Sequence, residues 1–542
     1  MKIALSQLNY LIGDFEGNKK KIIKDIENAK QQKADIVVFA ELAVSGYPPR
    51  DFLEFDDFVR KCNTAIEEIA LHTSGIAAIV GLPTFNPNDR GKSLRNSAAF
   101  INDGKVEAMA HKALLPNYDV FDEYRYFEPN RVFQPIEFQG KKIALTICED
   151  IWDVEGDYQY VISPLDELKV YNPDVIINIA ASPFHYDQPS IRKRILRANV
   201  KRYNLPVVYV NHVGAQTELL FDGNSQVLNE KGETLHELKY FEEDFGVVDL
   251  LENNVLKPLP VPDKVPSIEE ALVMGVKNYF EKLGLKKAIL GLSGGIDSAV
   301  TAVIAAKALG KENVYGVLLP SKFSSDHSVS DAEELAENLG IRYETIEVKD
   351  VVESFEKTLK KQFEGLPFDV AEENIQARAR GVILMALSNK FGHILLNTSN
   401  KSEAAVGYGT LYGDMNGGLS VLGDVYKTDV FALAHHMNRD AEVIPGNIIT
   451  KPPSAELRPD QKDSDSLPGY DVLDDILTQY IEYRKGPETI IAKGYEPALV
   501  NRVLRMVNFT EYKRHQTPPI LRVSPKAFGM GRRMPIVARY LA

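Results

Sequence analysis

Two stretches of this chain place reactive groups at the ends of apolar runs, where folded chains present them. The run KKIALTIC ends on Cys148, which is followed by Glu149 and Asp150. The run DIVVFAE ends on Glu41, and Lys112 stands among apolar neighbours in AHKALLPNYDVFDE. A carboxylate that terminates a buried run needs a partner, because an unpaired buried charge is costly. The three types make one chemistry: a thiolate attacks, a carboxylate takes its proton, and an ammonium with the N–H after the cysteine stabilises an oxyanion. Such an attack on an amide yields a thioester and free ammonia, and water then cleaves the thioester.

The second stretch is LSGGIDSA, residues 292–299, lying between KAIL and VTAVIAAKAL. Gly291, Leu292, Ser293, Gly294, Gly295, Ile296, Asp297 and Ser298 form a strand-to-helix turn whose N–H groups and serine hydroxyls suit a phosphate. Asp297 would repel that phosphate unless Mg²⁺ lay between them. No G-x-x-x-x-G-K-[ST] loop occurs in the chain, so the lysine that favours γ-phosphoryl loss is lacking. Downstream, LLNTSNKSEAAVGYGTLYGD puts Thr398 at a strand end and Glu403 five residues later. The five glycines between 407 and 418 suit a mobile lid. Lys427 opens a helix in DVYKTDVFALA, where it can reach phosphate, and 451–474 is long, polar and proline-containing. Tyr512 to Ala542 holds seven Lys or Arg and no acid, fitting a subunit contact or a phosphorylated substrate.

The elements that must position these groups follow from length and pattern. A chain of 542 residues holds more than one domain at roughly 100–200 residues each. A net charge of −13 argues against a general nucleic-acid binder. Two cysteines without a Cys-x-x-Cys pair fit a reducing compartment. The apolar run in MKIALSQLNY is too short for a signal peptide, and no stretch approaches the ~18 apolar residues of a membrane span. A soluble, cytoplasmic protein that does not engage membranes is expected. The proline-rich run KPLPVPDKVP, 257–266, reads as an extended linker. It separates residues 1–256, a strand-rich α/β layered domain, from residues 267–542. In the latter, strands and helices alternate as βαβ units and predict a doubly wound parallel sheet. There Ser330 and Glu333 are expected to open the helix SDAEELAENLG as a capping box.

The motifs FAELAVSGYPPRD, HKALLPNYDVFDEYRYF and LTICEDIW, in this order over roughly residues 1–250, resemble the carbon–nitrogen hydrolase (nitrilase) superfamily. The resemblance implies an α-β-β-α sandwich with Glu41 as base, Lys112 as oxyanion stabiliser and Cys148 as nucleophile. Glu123 would be an auxiliary carboxylate or a salt-bridge partner. Tyr118 and Ser182 match positions that bind glutamine in glutaminase members. Gln188 stands where a basic residue is usual, with Arg192 and Lys193 a little further on. The loop at 293–298 is similar to that of the ATP pyrophosphatases, in which it holds the departing pyrophosphate. Residues 267–542 resemble the NAD synthetases. That resemblance implies ATP contacts at Thr398 and Lys427, with Ser454 a further candidate. It implies deamido-NAD contacts at Asn374, Glu403 and Lys513, and Mg²⁺ at Asp297 and Glu403. Together the halves imply that ammonia from glutamine amidates an adenylated deamido-NAD, giving NAD, AMP, pyrophosphate and glutamate. Free ammonia is mostly protonated at neutral pH and would escape by diffusion, so an internal passage between the sites is expected; a homo-oligomeric enzyme is expected as well. Two alternatives stand beside this reading: another glutamine-fed amidotransferase with the same loop, and a nucleotide-sensing regulator without turnover. The complete Glu41, Lys112 and Cys148 set disfavours the second.

Overall fold

Runs of aliphatic and β-branched residues become buried strands throughout the first half of the chain. The computed structural model describes all residues except 155, 157, 158, 253, 455, 459, 460, 462 and 542. The chain divides into two compact units, Met1–Pro262 and Asp263–Ala542. The first unit contains β1 (Lys2–Gln7), β2 (Ile36–Val38), β3 (Ala77–Phe85), β4 (Leu94–Asn102), β5 (Lys105–His111), β6 (Ile136–Phe138) and β7 (Lys141–Ile147). It continues with β8 (Val175–Ala180), β9 (Val207–Asn211), β10 (Val213–Gln216), β11 (Leu219–Asp222), β12 (Gln226–Leu228), β13 (Thr234–Glu237) and β14 (Asp244–Asp249).

Two six-stranded sheets result, ordered β14-β1-β2-β3-β4-β5 and β13-β12-β9-β8-β7-β6. Alternation along β1 to β3 explains the layers. Ile3, Leu5, Ile36, Val38 and Ile79 pack with Ile143, Leu145, Val208 and Val210 of the second sheet. Ala4, Val37 and Val80 face the other way, against Ile22, Ile26, Val59, Cys62 and Ile66 on helices Phe15–Gln31 and Asp56–Ala70. Helices Pro164–Lys169 and Gln188–Tyr203 add Leu165, Leu168, Leu196 and Val200 to the core of the second sheet. This is the α-β-β-α sandwich expected from the motifs.

The second unit holds β15 (Ala288–Gly291), β16 (Val314–Leu318), β17 (Arg342–Thr345), β18 (Ile394–Asn397) and β19 (Leu419–Ser420). All pair in parallel, in the order β17-β16-β15-β18-β19. The strand order reverses between β15 and β18, the position at which doubly wound sheets open a crevice beyond their carboxyl ends. Among the described residues, no helix is long and apolar enough to cross a membrane.

Three local expectations are corrected. The helix after β16 runs Asp326–Leu339 and is capped by Ser325, whose hydroxyl accepts the Ser328 N–H; Ser330 and Glu333 lie inside it. Ser325 satisfies that first-turn N–H before Ser330 is reached. The extended proline run stops at Asp263, because helix Lys264–Lys282 takes up Pro266 in its first turn, where a missing N–H costs nothing. The glycine-rich segment 407–418 is pinned. Asn397 Nδ2 donates to the Asp414 and Asn416 carbonyls (2.8 and 3.0 Å), and a Cβ on Gly413 would stand 3.0 Å from Ala377. That glycine serves close packing.

One glycine governs the backbone around Glu41. A Cβ on Gly81 of β3 would lie 2.4 Å from the Leu42 nitrogen and 2.5 Å from the Ala40 oxygen. Gly81→Ala is therefore expected to lower the unfolding midpoint of the first unit, at a cost of about 1–3 kcal/mol, read by thermal denaturation.

Candidate active sites

Three strands of the first unit deliver its reactive groups. Glu41 comes three residues after β2, Lys112 directly follows β5, and Cys148 directly follows β7. Glu41 and Lys112 are fully buried. Lys112 Nζ lies 2.7 Å from Glu41 Oε1 and 2.9 and 2.8 Å from the two oxygens of Glu123. Glu41 also accepts Asn96 Nδ2 at 2.7 Å and the Ala181 N–H at 2.9 Å. His212 Nε2 meets the Glu41 carbonyl at 2.6 Å, and the Tyr47 hydroxyl donates to Glu123 at 2.9 Å. Glu123 is thus an ion-pair partner of Lys112 and shares that ammonium with Glu41.

Burial pushes Glu123 up to about 7 against the pull of Lys112, with the charge of Glu41 adding to the rise. Burial also disfavours the Lys112 ammonium, but Glu123 and Glu41 hold its pKa well above the usual lysine range. Cys148 has φ 44°, a left-handed conformation that costs an L-residue roughly 1–2 kcal/mol. Burial and the charge of Glu41 push its thiol well above the usual range, against Lys112.

The residues expected around glutamine fall into two groups. The Tyr118 hydroxyl donates to Glu149 (2.9 and 3.1 Å), as does that of Tyr160 (3.0 Å). Gln188 Nε2 donates to Ser182 Oγ at 3.0 Å, and the Ser182 N–H is held by Asn211 at 2.9 Å. Arg192 and Lys193, a little further along the same helix, both have acidic partners. Arg192 is buried on Asp222 at 2.6 Å and Lys193 on Glu237 at 2.7 Å.

In the second unit a cavity of about 320 Å³ opens beyond β15. Gly291, Leu292, Ser293, Gly295, Ile296, Asp297 and Ser298 line it, with Thr398, Glu403, Lys427 and Ser454. Gly294 lies behind the lining: its φ is 73°, and a Cβ would stand 2.2 Å from the Ser328 carbonyl oxygen, so only glycine fits. Gly295 caps helix Ile296–Leu309, and its N–H donates to Ser293 Oγ at 3.2 Å. Lys427 Nζ bridges Asp297 (2.5 Å) and Glu403 (3.2 Å), and Asn400 Nδ2 holds the other Asp297 oxygen at 2.9 Å. Burial pushes Glu403 up to about 8; Lys427 opposes the rise, while Asp297 and Asp463 add to it.

Asn374 and Lys513 are not among the residues that line this cavity. Asn374 accepts the Thr410 hydroxyl at 2.6 Å, and Lys513 Nζ donates to the Gly407 and Gly409 carbonyls at 2.8 Å each. Several functional neighbours escaped the sequence. Asn96 and His212 sit in ordinary apolar patterns, and Tyr47 stands in the Ser-Gly-Tyr-Pro-Pro stretch, where nothing marks its partner. Arg380 lines the cavity from the middle of helix Val370–Phe391. Asp463, also lining the cavity, accepts the Tyr470 and Tyr408 hydroxyls (2.8 and 3.2 Å) within a polar stretch that offered no periodicity.

A buried Glu–Lys–Cys set on an α-β-β-α sandwich, with a lysine-free phosphate loop on a parallel sheet, defines an amidohydrolase joined to a nucleotide-dependent ligase. Residues 2–253 match the carbon–nitrogen hydrolase family and residues 268–517 the NAD synthase family. The chain is 44% identical over 553 residues to the glutamine-dependent NAD(+) synthetase of Synechocystis sp., covering 99% of each chain. It is 42% identical over 581 residues to that of Thermotoga maritima, covering 100% of this chain and 99% of the other. The chain belongs to the glutamine-dependent NAD(+) synthetases. The solved synthetase of Acinetobacter baumannii, in complex with adenosine diphosphate, is 41% identical and superposes with a TM-score of 0.79. That match covers 99% of this chain and 98% of the other.

The ion pairs of Lys112 make a direct test. Lys112→Met leaves Glu41 and Glu123 buried without their shared cation, and a cost of about 3–5 kcal/mol is expected. Adding Glu123→Gln to that variant should recover part of the loss, because it removes one of the two charges; denaturant unfolding of the single and double variants measures it.

Proposed function

We propose that this chain amidates deamido-NAD to NAD with ATP, drawing ammonia from glutamine, and that the other products are AMP, pyrophosphate and glutamate. The observation that carries this reading is the presence in one chain of the buried Glu41–Lys112–Cys148 set and the lysine-free phosphate loop. In the first unit, Glu41 takes the Cys148 proton, and the sulfur attacks the side-chain amide of glutamine. Lys112 Nζ and the Glu149 N–H stabilise the oxyanion. The C–N bond breaks, ammonia leaves with the proton returned by Glu41, and water cleaves the thioester to glutamate. Tyr118, Ser182 and Gln188 hold the amino-acid end of glutamine.

In the second unit the loop from Gly291 to Ser298 holds the β- and γ-phosphates, and Thr398 and Lys427 contact ATP. The carboxylate of deamido-NAD attacks the α-phosphorus and pyrophosphate leaves as one group. Ammonia then attacks the acyl carbon and AMP departs. Asn374, Glu403 and Lys513 contact deamido-NAD. Asn374 and Lys513 do so by exchanging their present partners in the 407–410 segment.

The donor set at Asp297 and Glu403 fits Mg²⁺. Both are hard oxygen ligands that already share one cation, the Lys427 ammonium, and Mg²⁺ is commonly held by one or two carboxylates plus substrate phosphates. Asp297 and Glu403 would hold the ion, which supplies neutralisation of phosphate charge. The reading includes a cytoplasmic, homo-oligomeric enzyme; its two cysteines are unpaired, in keeping with a reducing compartment.

Cys148→Ala is expected to abolish glutamine-driven NAD formation and leave ammonia-driven formation largely intact. Loss of both activities in a folded variant overturns the two-site reading. Asp297→Ala is expected to stop AMP production while glutamine hydrolysis survives. Chromatography of the nucleotide products reads both, and ADP in place of AMP from the unaltered enzyme overturns the role of the loop.

A further inference from the structure

Asp150 lies two residues beyond the nucleophile and has no task in the chemistry above. Its side chain is buried, and it accepts three backbone N–H groups. Oδ1 takes those of Ala113 (3.0 Å) and Leu114 (2.9 Å), and Oδ2 takes that of Ile147 (3.0 Å). These donors belong to two separate stretches of chain. Ala113 and Leu114 directly follow Lys112, and Ile147 directly precedes Cys148. One carboxylate therefore ties the segment that carries the ammonium to the turn that carries the sulfur.

The turn needs such a tie. Cys148 is held at φ 44°, and strained backbone persists only where its surroundings over-determine it. Hydrogen bonds from N–H groups to an ionised carboxylate are shorter and stronger than neutral ones. Without Asp150, three buried N–H groups on both sides of the site would lose their acceptor.

We propose that Asp150 is a positioning residue for amide hydrolysis: it fixes the placement of Lys112 relative to Cys148 and holds the nucleophile in its left-handed turn. This rests on the reading that Glu41, Lys112 and Cys148 hydrolyse glutamine.

Asp150→Asn keeps the shape of the side chain but offers one accepting oxygen and one NH₂ group. The NH₂ must face an N–H on one side, so one of the two stretches loses its tether. In the full-length enzyme, kcat for glutamine hydrolysis is expected to fall by about 100-fold, the scale of a 1 Å misplacement of reacting groups. KM for glutamine should stay within about threefold, since the loss falls on the transition state. Glutamine binding, measured by calorimetry with Cys148→Ala present in both proteins, should change by no more than about threefold on adding Asp150→Asn. Wild-type kcat in Asp150→Asn overturns the proposal. So does loss of glutamine binding together with turnover, which would mark a role in folding alone. Cys148→Ala, assayed in parallel, keeps the two readings apart. Its continued hydrolysis of glutamine would sink the nucleophile assignment, whereas an inactive Cys148→Ala beside a fully active Asp150→Asn would sink only the role of Asp150.

Discussion

A single ammonium wedged between two carboxylates, out of reach of water, is the interaction around which the first unit is arranged. Lys112 cannot be buried without Glu41 and Glu123, and neither carboxylate can be buried beside the other without Lys112. The sheets supply the means. β2, β5 and β7 end at one edge of the sandwich, so three distant stretches meet with little loop between strand and functional group. Close packing under Glu41 depends on Gly81, and its remaining oxygen is held by the Ala181 N–H just beyond β8. Asn96 reaches Glu41 from β4, so groups from several further strands or their ends converge on that one carboxylate.

The second unit repeats the device with a different purpose. Lys427 bridges Asp297 and Glu403 as Lys112 bridges Glu41 and Glu123, but it does so on the wall of a cavity, with a longer contact to Glu403. In the first unit the charged groups, one ammonium and two carboxylates, are almost fully enclosed. In the second they line the open space of the cavity. The Gly294 approach to Ser328 brings the neighbouring helix Asp326–Leu339 against the phosphate loop, so two helix N-termini border the same space.

Much of this was readable before any coordinates, for definite reasons. Strand ends can be located where an apolar run stops on a charged, thiol or hydroxyl side chain, and Glu41, Cys148 and Thr398 each announce such an end. Lys112 was legible because a lysine among apolar neighbours demands a partner, and the phosphate loop because Ser-Gly-Gly-x-Asp-Ser joins two apolar runs. What escaped depends on through-space convergence. Asn96 is one polar residue in the buried strand LRNSAAFIN, and nothing in that pattern shows that its side chain meets Glu41. The cap at Ser325 was missed because Ser330 and Glu333 match a capping box equally well on paper. The glycines after 407 were read as freedom, although Gly413 is there to let two backbones touch. The adjacent acids Glu149 and Asp150 were visible, but their division of labour was not: one holds tyrosine hydroxyls and the other holds backbone.

The placement of the two cysteines has a practical consequence. Cys62 is packed inside the helix-and-sheet core, and burial pushes its thiol up to about 12. Cys148 is buried beside Glu41 and Lys112, whose charges act on its thiol in opposite directions. Both thiols are nearly closed to solvent, so a sulfur-directed reagent reaches either one only when the fold around it opens. Its uptake by the native protein therefore reports opening of the first unit, since both cysteines lie in Met1–Pro262.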